Sequence, residues 1–214
     1  MHLAELIEHT LLDPRASPEQ IDALCDAALE HHLLGVCVAP VYVERASRRL
    51  AGRCPCVVTV VGFPLGAHRS DVKAFEAERA LEDGATDIDM VMSLGAALSG
   101  DWAAVERDIA AVRAAAAEAT LKVILETGQL DSATLRRAVE VSVAAGADFV
   151  KTSTGFGPRG ATVADVRAML AAGGGRVRVK ASGGIRTAAD ARALIEAGAT
   201  RIGTSAGPRI ASGG

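Results

Sequence analysis

Ala144-Ala145-Gly146-Ala147-Asp148-Phe149-Val150 reads as the end of a helix, a left-handed cap at Gly146, and the start of a buried strand. The same form occurs at Glu82-Asp83-Gly84-Ala85-Thr86-Asp87-Ile88 and at Glu196-Ala197-Gly198-Ala199-Thr200-Arg201-Ile202. A helix joined this tightly to the next strand is the connection of a parallel β-α unit. Gly84 and Gly146 are 62 residues apart and Gly146 and Gly198 are 52 apart, so each interval holds two such units. The intervening strands are expected over residues 121–126 and 176–181.

Outward from that joint, residues 2–9 read as a short amphipathic helix and residues 10–12 as a brief strand closed by Asp13-Pro14. Ser17 caps a helix with Pro18 at its first position and Gln20 at the capping-box position, running to Gly35. Strands follow at 35–39 and 57–61, with a helix over 40–50 between them and another over 71–82. Eight strands with at least seven helices predict an α/β fold, a single-domain (β/α)8 TIM barrel over residues 1–214. Residues 1–9 form its N-terminal helix and 208–214 a short tail. An open doubly wound sheet is the alternative, but no Gly-x-Gly-x-x-Gly opening follows the first strand.

Half of the residues are hydrophobic, yet aromatics make up only 3%. The core is therefore built from Ala, Val, Leu and Ile, and the Ala-rich helices could support a homodimer. A formal charge of −3 without any basic block argues against nucleic acid as a partner. The first residues lack a signal-peptide pattern, and no apolar run approaches the ~20 residues of a membrane span. A cytoplasmic protein without a membrane partner is expected. Cys25, Cys37, Cys54 and Cys56 fit reduced thiols, and neither they nor the scattered histidines show metal-site spacing.

Of 23 cationic side chains only four are lysines: Lys73, Lys122, Lys151 and Lys180. Guanidinium stays protonated, so a chain that favours Arg elsewhere places Lys where an amine is needed. Asp148-Phe149-Val150-Lys151-Thr152-Ser153 and Val177-Arg178-Val179-Lys180-Ala181-Ser182 each carry a lysine toward the end of a strand. If the alternating apolar residues face the helices, the inward set becomes Asp87, Asp89, Lys122, Glu126, Lys151, Arg178 and Lys180. Asp87, Lys122 and Arg178 then form a lower layer of ion pairs, while Asp89, Lys151 and Lys180 lie nearer the rim where such barrels build active sites. A lysine beside a second cation in an apolar surround loses its proton more readily and can attack a carbonyl to form a Schiff base.

Ser182-Gly183-Gly184-Ile185 and Gly203-Thr204-Ser205-Ala206-Gly207 follow the seventh and eighth strands. Loops there commonly hold phosphate on backbone amides, and Gly155 beyond Lys151 can add another. Arg186 reads as a solvated residue at the next helix start.

Val61-Gly62-Phe63-Pro64-Leu65-Gly66-Ala67, Val72-Lys73-Ala74-Phe75-Glu76, Asp87-Ile88-Asp89-Met90-Val91, the run from Gly146 to Phe156 and Val179-Lys180-Ala181-Ser182-Gly183-Gly184-Ile185-Arg186-Thr187 resemble deoxyribose-phosphate aldolase. The resemblance spans about Ile7 to Gly207. It implies a Schiff-base enzyme, independent of metal or cofactor, that splits 2-deoxyribose 5-phosphate into acetaldehyde and glyceraldehyde 3-phosphate. By position Lys151 matches the family's Schiff-base lysine, Lys180 the lysine that lowers its pKa, and Asp89 the proton-relay carboxylate. Gly155, Gly183, Gly184, Gly203 and Ser205 match phosphate contacts, Cys37 matches a position where relatives place a cysteine near the substrate, and Thr10 and Glu8 are candidates to reach the site. The chain departs from the family's common Asp-His-Thr pattern with Glu8-His9-Thr10, and Ala39 stands where relatives often carry Asn. Some relatives have a terminal tyrosine that assists proton transfer, whereas the sole tyrosine here is Tyr42.

Two other readings remain open at this point. A lysine-dependent barrel could act on another phosphorylated sugar, and a non-catalytic barrel could bind a sugar phosphate without a covalent adduct. The paired amines favour catalysis.

Overall fold

The computed structural model describes residues 2–214. The strands are β1 Ile7–Leu11, β2 Gly35–Val38, β3 Cys56–Val61, β4 Asp87–Val91, β5 Thr120–Ile124, β6 Phe149–Lys151, β7 Arg178–Ser182 and β8 Arg201–Thr204. Each pairs in parallel with the next and β8 pairs with β1, so the sheet closes in chain order and the open-sheet alternative falls. The helices are α1 Pro18–Glu30, α2 Val43–Leu50, α3 Ser70–Glu82, α4 Leu94–Ser99, α5 Trp102–Ala115, α6 Ser132–Ala144, α7 Val163–Gly173, α8 Ala188–Glu196 and α9 Gly207–Ala211. At the three repeated joints Gly84, Gly146 and Gly198 have φ of 102°, 86° and 109°, the left-handed turn that lets each helix feed the following strand directly.

The outward parity of the strands, including Ile88, Met90, Val123, Val150 and Val179, packs against helix residues such as Ile21, Ile109, Leu135 and Val166 in one apolar layer. Each such aliphatic side chain contributes about 1.5–3 kcal/mol of burial before chain entropy is counted. Inside the barrel the arrangement is lopsided. Cys37, Val58 and Val60 make a small apolar cluster on the β2–β3 side, whereas β1 and β4–β8 point charged residues inward.

Four local expectations are corrected. Residues 2–9 are not one helix: a 3-10 turn covers Leu3–Leu6, and β1 begins at Ile7 because Ile7 and Glu8 pair with Ile202 and Gly203 of β8. Residues 208–214 are not simply a tail, since Pro208 in the first turn and the buried Ile210 belong to α9. The helix over 40–50 is divided into a 3-10 turn at Pro40–Tyr42 and α2. β5 stops at Ile124 because Glu126 takes a left-handed conformation with φ 52°.

One of the four lysines serves the fold. Lys73 on α3 is fully buried and donates to Asp108 Oδ2 of α5 at 2.6 Å and to the Val91 carbonyl at 2.9 Å. Asp108 also accepts from the Ser70 hydroxyl at 2.9 Å and the Ser93 N–H at 3.0 Å, tying both helices to the end of β4. Burial lowers the pKa of Lys73 by more than Asp108 restores it. Lys73→Met strands Asp108 without its counter-ion and is expected to cost about 3–5 kcal/mol. Urea unfolding measures this, and a loss below about 1 kcal/mol would show that the pair contributes little.

Candidate active site

Lys151, the last residue of β6, lies opposite Lys180 of β7 in register. Their Nζ atoms both donate to one oxygen, Asp89 Oδ2, at 2.7 Å and 2.6 Å. Parity explains the meeting, since all three sit at inward positions of β4, β6 and β7. Lys122 of β5 stands 3.1 Å from the other oxygen, Asp89 Oδ1, and 2.7 Å from Asp87 Oδ2. Glu8 of β1 accepts from Lys180 and, at 2.9 Å, from Arg201 of β8, which also reaches Asp87 at 3.3 Å. The three rim residues expected from the sequence are therefore in contact, above a layer formed by Glu8, Asp87, Lys122 and Arg201.

Burial opposes ionisation of Glu8, Asp89, Lys122, Lys180 and Arg201, and the neighbours decide the outcome. Burial would raise the Asp89 pKa, but Lys122, Lys151 and Lys180 hold it well below the usual carboxylate range. Glu8 is likewise lowered against its burial by Lys122 and Lys180. Burial disfavours the Lys180 ammonium, yet Asp89 and Glu8 outweigh it and raise the pKa above the ordinary lysine value. The apolar surround expected for the lysine pair is thus corrected, because carboxylates line it. Arg178 is also corrected. It opens β7 at the opposite rim, where its side chain is exposed and stacks on the Phe149 ring at 4.0 Å, and Arg201 takes the place in the ion layer. Arg201 stands at the inward parity of β8, and that alternation was the signal for it.

A cavity of about 620 Å³ opens above this cluster at the C-terminal ends of the strands. Lys151 lines it, whereas Asp89 and Lys180 lie beneath. Gly155, Gly183, Gly184, Gly203, Ser205 and Thr10 all line it as well. Among the described residues the backbone N–H groups of Gly155, Gly183, Gly184 and Ser205 find no protein acceptor. Such amides suit an anion. Gly183 has φ 87°, and a Cβ there would stand 3.1 Å from Gly160 Cα, so the turn requires glycine.

Cys37 is fully buried in the apolar cluster inside the barrel and does not line the cavity; burial pushes its thiol up to about 11. Thr154 and Phe156 complete the wall and were not singled out from the sequence. Their support is Glu126, which accepts from the Thr154 N–H at 3.2 Å and from its hydroxyl, while that hydroxyl accepts from the Phe156 N–H at 3.0 Å. The exposed Phe156 ring meets Phe63 edge-on at 5.4 Å. Arg186 and Arg15 stand at the cavity rim.

The chain matches the model of the DeoC/LacD family aldolase over residues 7–212. It is 55% identical over its full length to the deoxyribose-phosphate aldolase of Deinococcus radiodurans, covering 97% of that protein. It is 46% identical to the deoxyribose-phosphate aldolase of Thermus thermophilus, again over the full chain and 97% of the relative. Among solved structures, the tetrameric deoxyribose phosphate aldolase of Aeropyrum pernix superposes with a TM-score of 0.91 at 38% identity, covering 98% of this chain and 89% of that one.

Proposed function

The chain belongs to the DeoC/LacD family of aldolases, and from that premise we propose that it reversibly cleaves 2-deoxy-D-ribose 5-phosphate into acetaldehyde and D-glyceraldehyde 3-phosphate through a Schiff base on Lys151. The observation that carries this reading is the contact of Lys151 with Asp89 and Lys180 at the floor of a cavity lined by unpaired amides. Of the two rim lysines only Lys151 reaches the cavity. Lys180 is pinned between Asp89 and Glu8 as an ammonium, which makes it a fixed charge and proton donor rather than a nucleophile.

The free amine of Lys151 attacks C1 of the open-chain aldehyde, and the carbinolamine loses water to give an iminium. Lys180 and Asp89, through a water, supply and take up the protons of these steps. Removal of the C3 hydroxyl proton then breaks the C2–C3 bond, releasing glyceraldehyde 3-phosphate and leaving the bond's electron pair in an enamine. Protonation at C2 and addition of water release acetaldehyde and restore the amine.

The amides of Gly155, Gly183, Gly184 and Ser205 fit the 5-phosphate. Two or three charge-assisted hydrogen bonds correspond to a preference of at least ~100-fold in kcat/KM for the phosphorylated sugar over dephosphorylated deoxyribose. Gly183→Ala should raise KM for the phosphate ester by about tenfold or more and change kcat little. Equal cleavage of the two sugars would contradict the phosphate assignment.

A further inference from the structure

The ion layer below Lys151 has an uneven count. Its cations are Lys122, Lys151, Lys180 and Arg201, on β5, β6, β7 and β8. Its carboxylates are Glu8 on β1 and Asp87 and Asp89 on β4. From β2 and β3 the facing titratable groups are the thiols of Cys37 and Cys56, which burial pushes up to about 11 and about 12 and so keeps neutral. Four positive charges therefore face three negative ones. A surplus charge in a buried layer is costly, and release of one proton balances it three against three.

The contacts decide which cation gives way. Lys122 stands against Asp87, Asp89 and Glu8, Lys180 against Asp89 and Glu8, and Arg201 against Glu8 and Asp87. Lys151 has Asp89 alone, shares that oxygen with Lys180, and is the member that lines the cavity. We infer that Glu8 and Arg201, which touch neither Lys151 nor the cavity, act with Asp87 and Lys122 as a charge-balancing layer that makes Lys151 the one amine free to attack. This inference rests on the Schiff-base reading above. It also gives the Glu8 departure from the family pattern a role, since its carboxylate bridges Lys180 and Arg201.

The test uses the whole protein, acetaldehyde and borohydride, with the adduct on Lys151 quantified by peptide mass as a function of pH. Arg201→Gln removes a positive charge from the layer, and the acid limb of adduct formation should move to higher pH by on the order of one unit. Glu8→Gln removes a negative charge and should move that limb to lower pH by a similar amount. Arg201→Lys and Glu8→Asp keep the charges and should return the limb to the wild-type position. A merely structural role would lower the yield without opposite displacements. If Glu8→Gln does not fold, Arg201→Gln against Arg201→Lys alone decides. A wild-type adduct on Lys151 with limbs unmoved, or moved in one direction by both charge-removing variants, overturns the layer's role and leaves the Schiff-base reading standing. No wild-type adduct overturns both.

Discussion

Lys151→Leu is expected to lower kcat/KM for 2-deoxyribose 5-phosphate by at least ~10⁴-fold while the barrel stays folded. The loss is large because, in the proposed Schiff-base mechanism, every bonded step runs through this nitrogen. Lys180 cannot take over, since it lies beneath the cavity and is held by two carboxylates. The fold tolerates the change because Asp89 keeps Lys122 and Lys180 as partners, and the interior keeps the three cations and three carboxylates that a neutral Lys151 leaves. Thermal unfolding should therefore occur close to the wild-type temperature. Residual turnover within about tenfold of wild type would contradict the assignment.

Asp89→Asn should be damaging in both respects. Three lysine side chains converge on this carboxylate, and a neutral amide leaves the Lys122 and Lys180 ammonium groups without their shared counter-ion in a buried site. The expected cost is about 3–5 kcal/mol in urea unfolding at neutral pH, together with a fall of about 10²–10⁴-fold in turnover if Asp89 carries protons as proposed. The pH dependence carries the sign. Because the folded-state pKa of Asp89 is depressed by Lys122, Lys151 and Lys180 despite burial, its stabilisation is fully present above the unfolded carboxylate value of about 3.9 and is lost as pH falls through the folded value. The gap between wild type and Asp89→Asn should thus be widest near neutrality and narrow below about pH 4. A gap that is constant with pH would mean that the ion cluster does not act through the Asp89 charge.

Much of this arrangement was legible from local pattern. The Gly84, Gly146 and Gly198 joints report parallel β-α units because each left-handed cap is followed within a few residues by a strand. Strand alternation then brings Asp89, Lys151 and Lys180 inward together, since a period of two leaves only two faces. What escaped was set by tertiary pairing. Glu8 looked helical within an amphipathic run, and its pairing with Gly35 of β2 on one side and with Gly203 across the barrel closure on the other makes it part of a strand. Arg178 and Arg201 have similar local settings at strand starts. The rings and carboxylates around them separate one to solvent and the other to the ion layer. The wall residues Thr154 and Phe156 depend on Glu126, whose left-handed backbone no propensity would favour.

The most direct test of the central claim is reductive trapping. The wild-type protein is incubated with acetaldehyde or 2-deoxyribose 5-phosphate, reduced with borohydride, digested and sequenced by mass. A Schiff base on Lys151 predicts a single reduced adduct on that residue. An adduct on Lys180 instead, or no adduct on a folded protein, would contradict it.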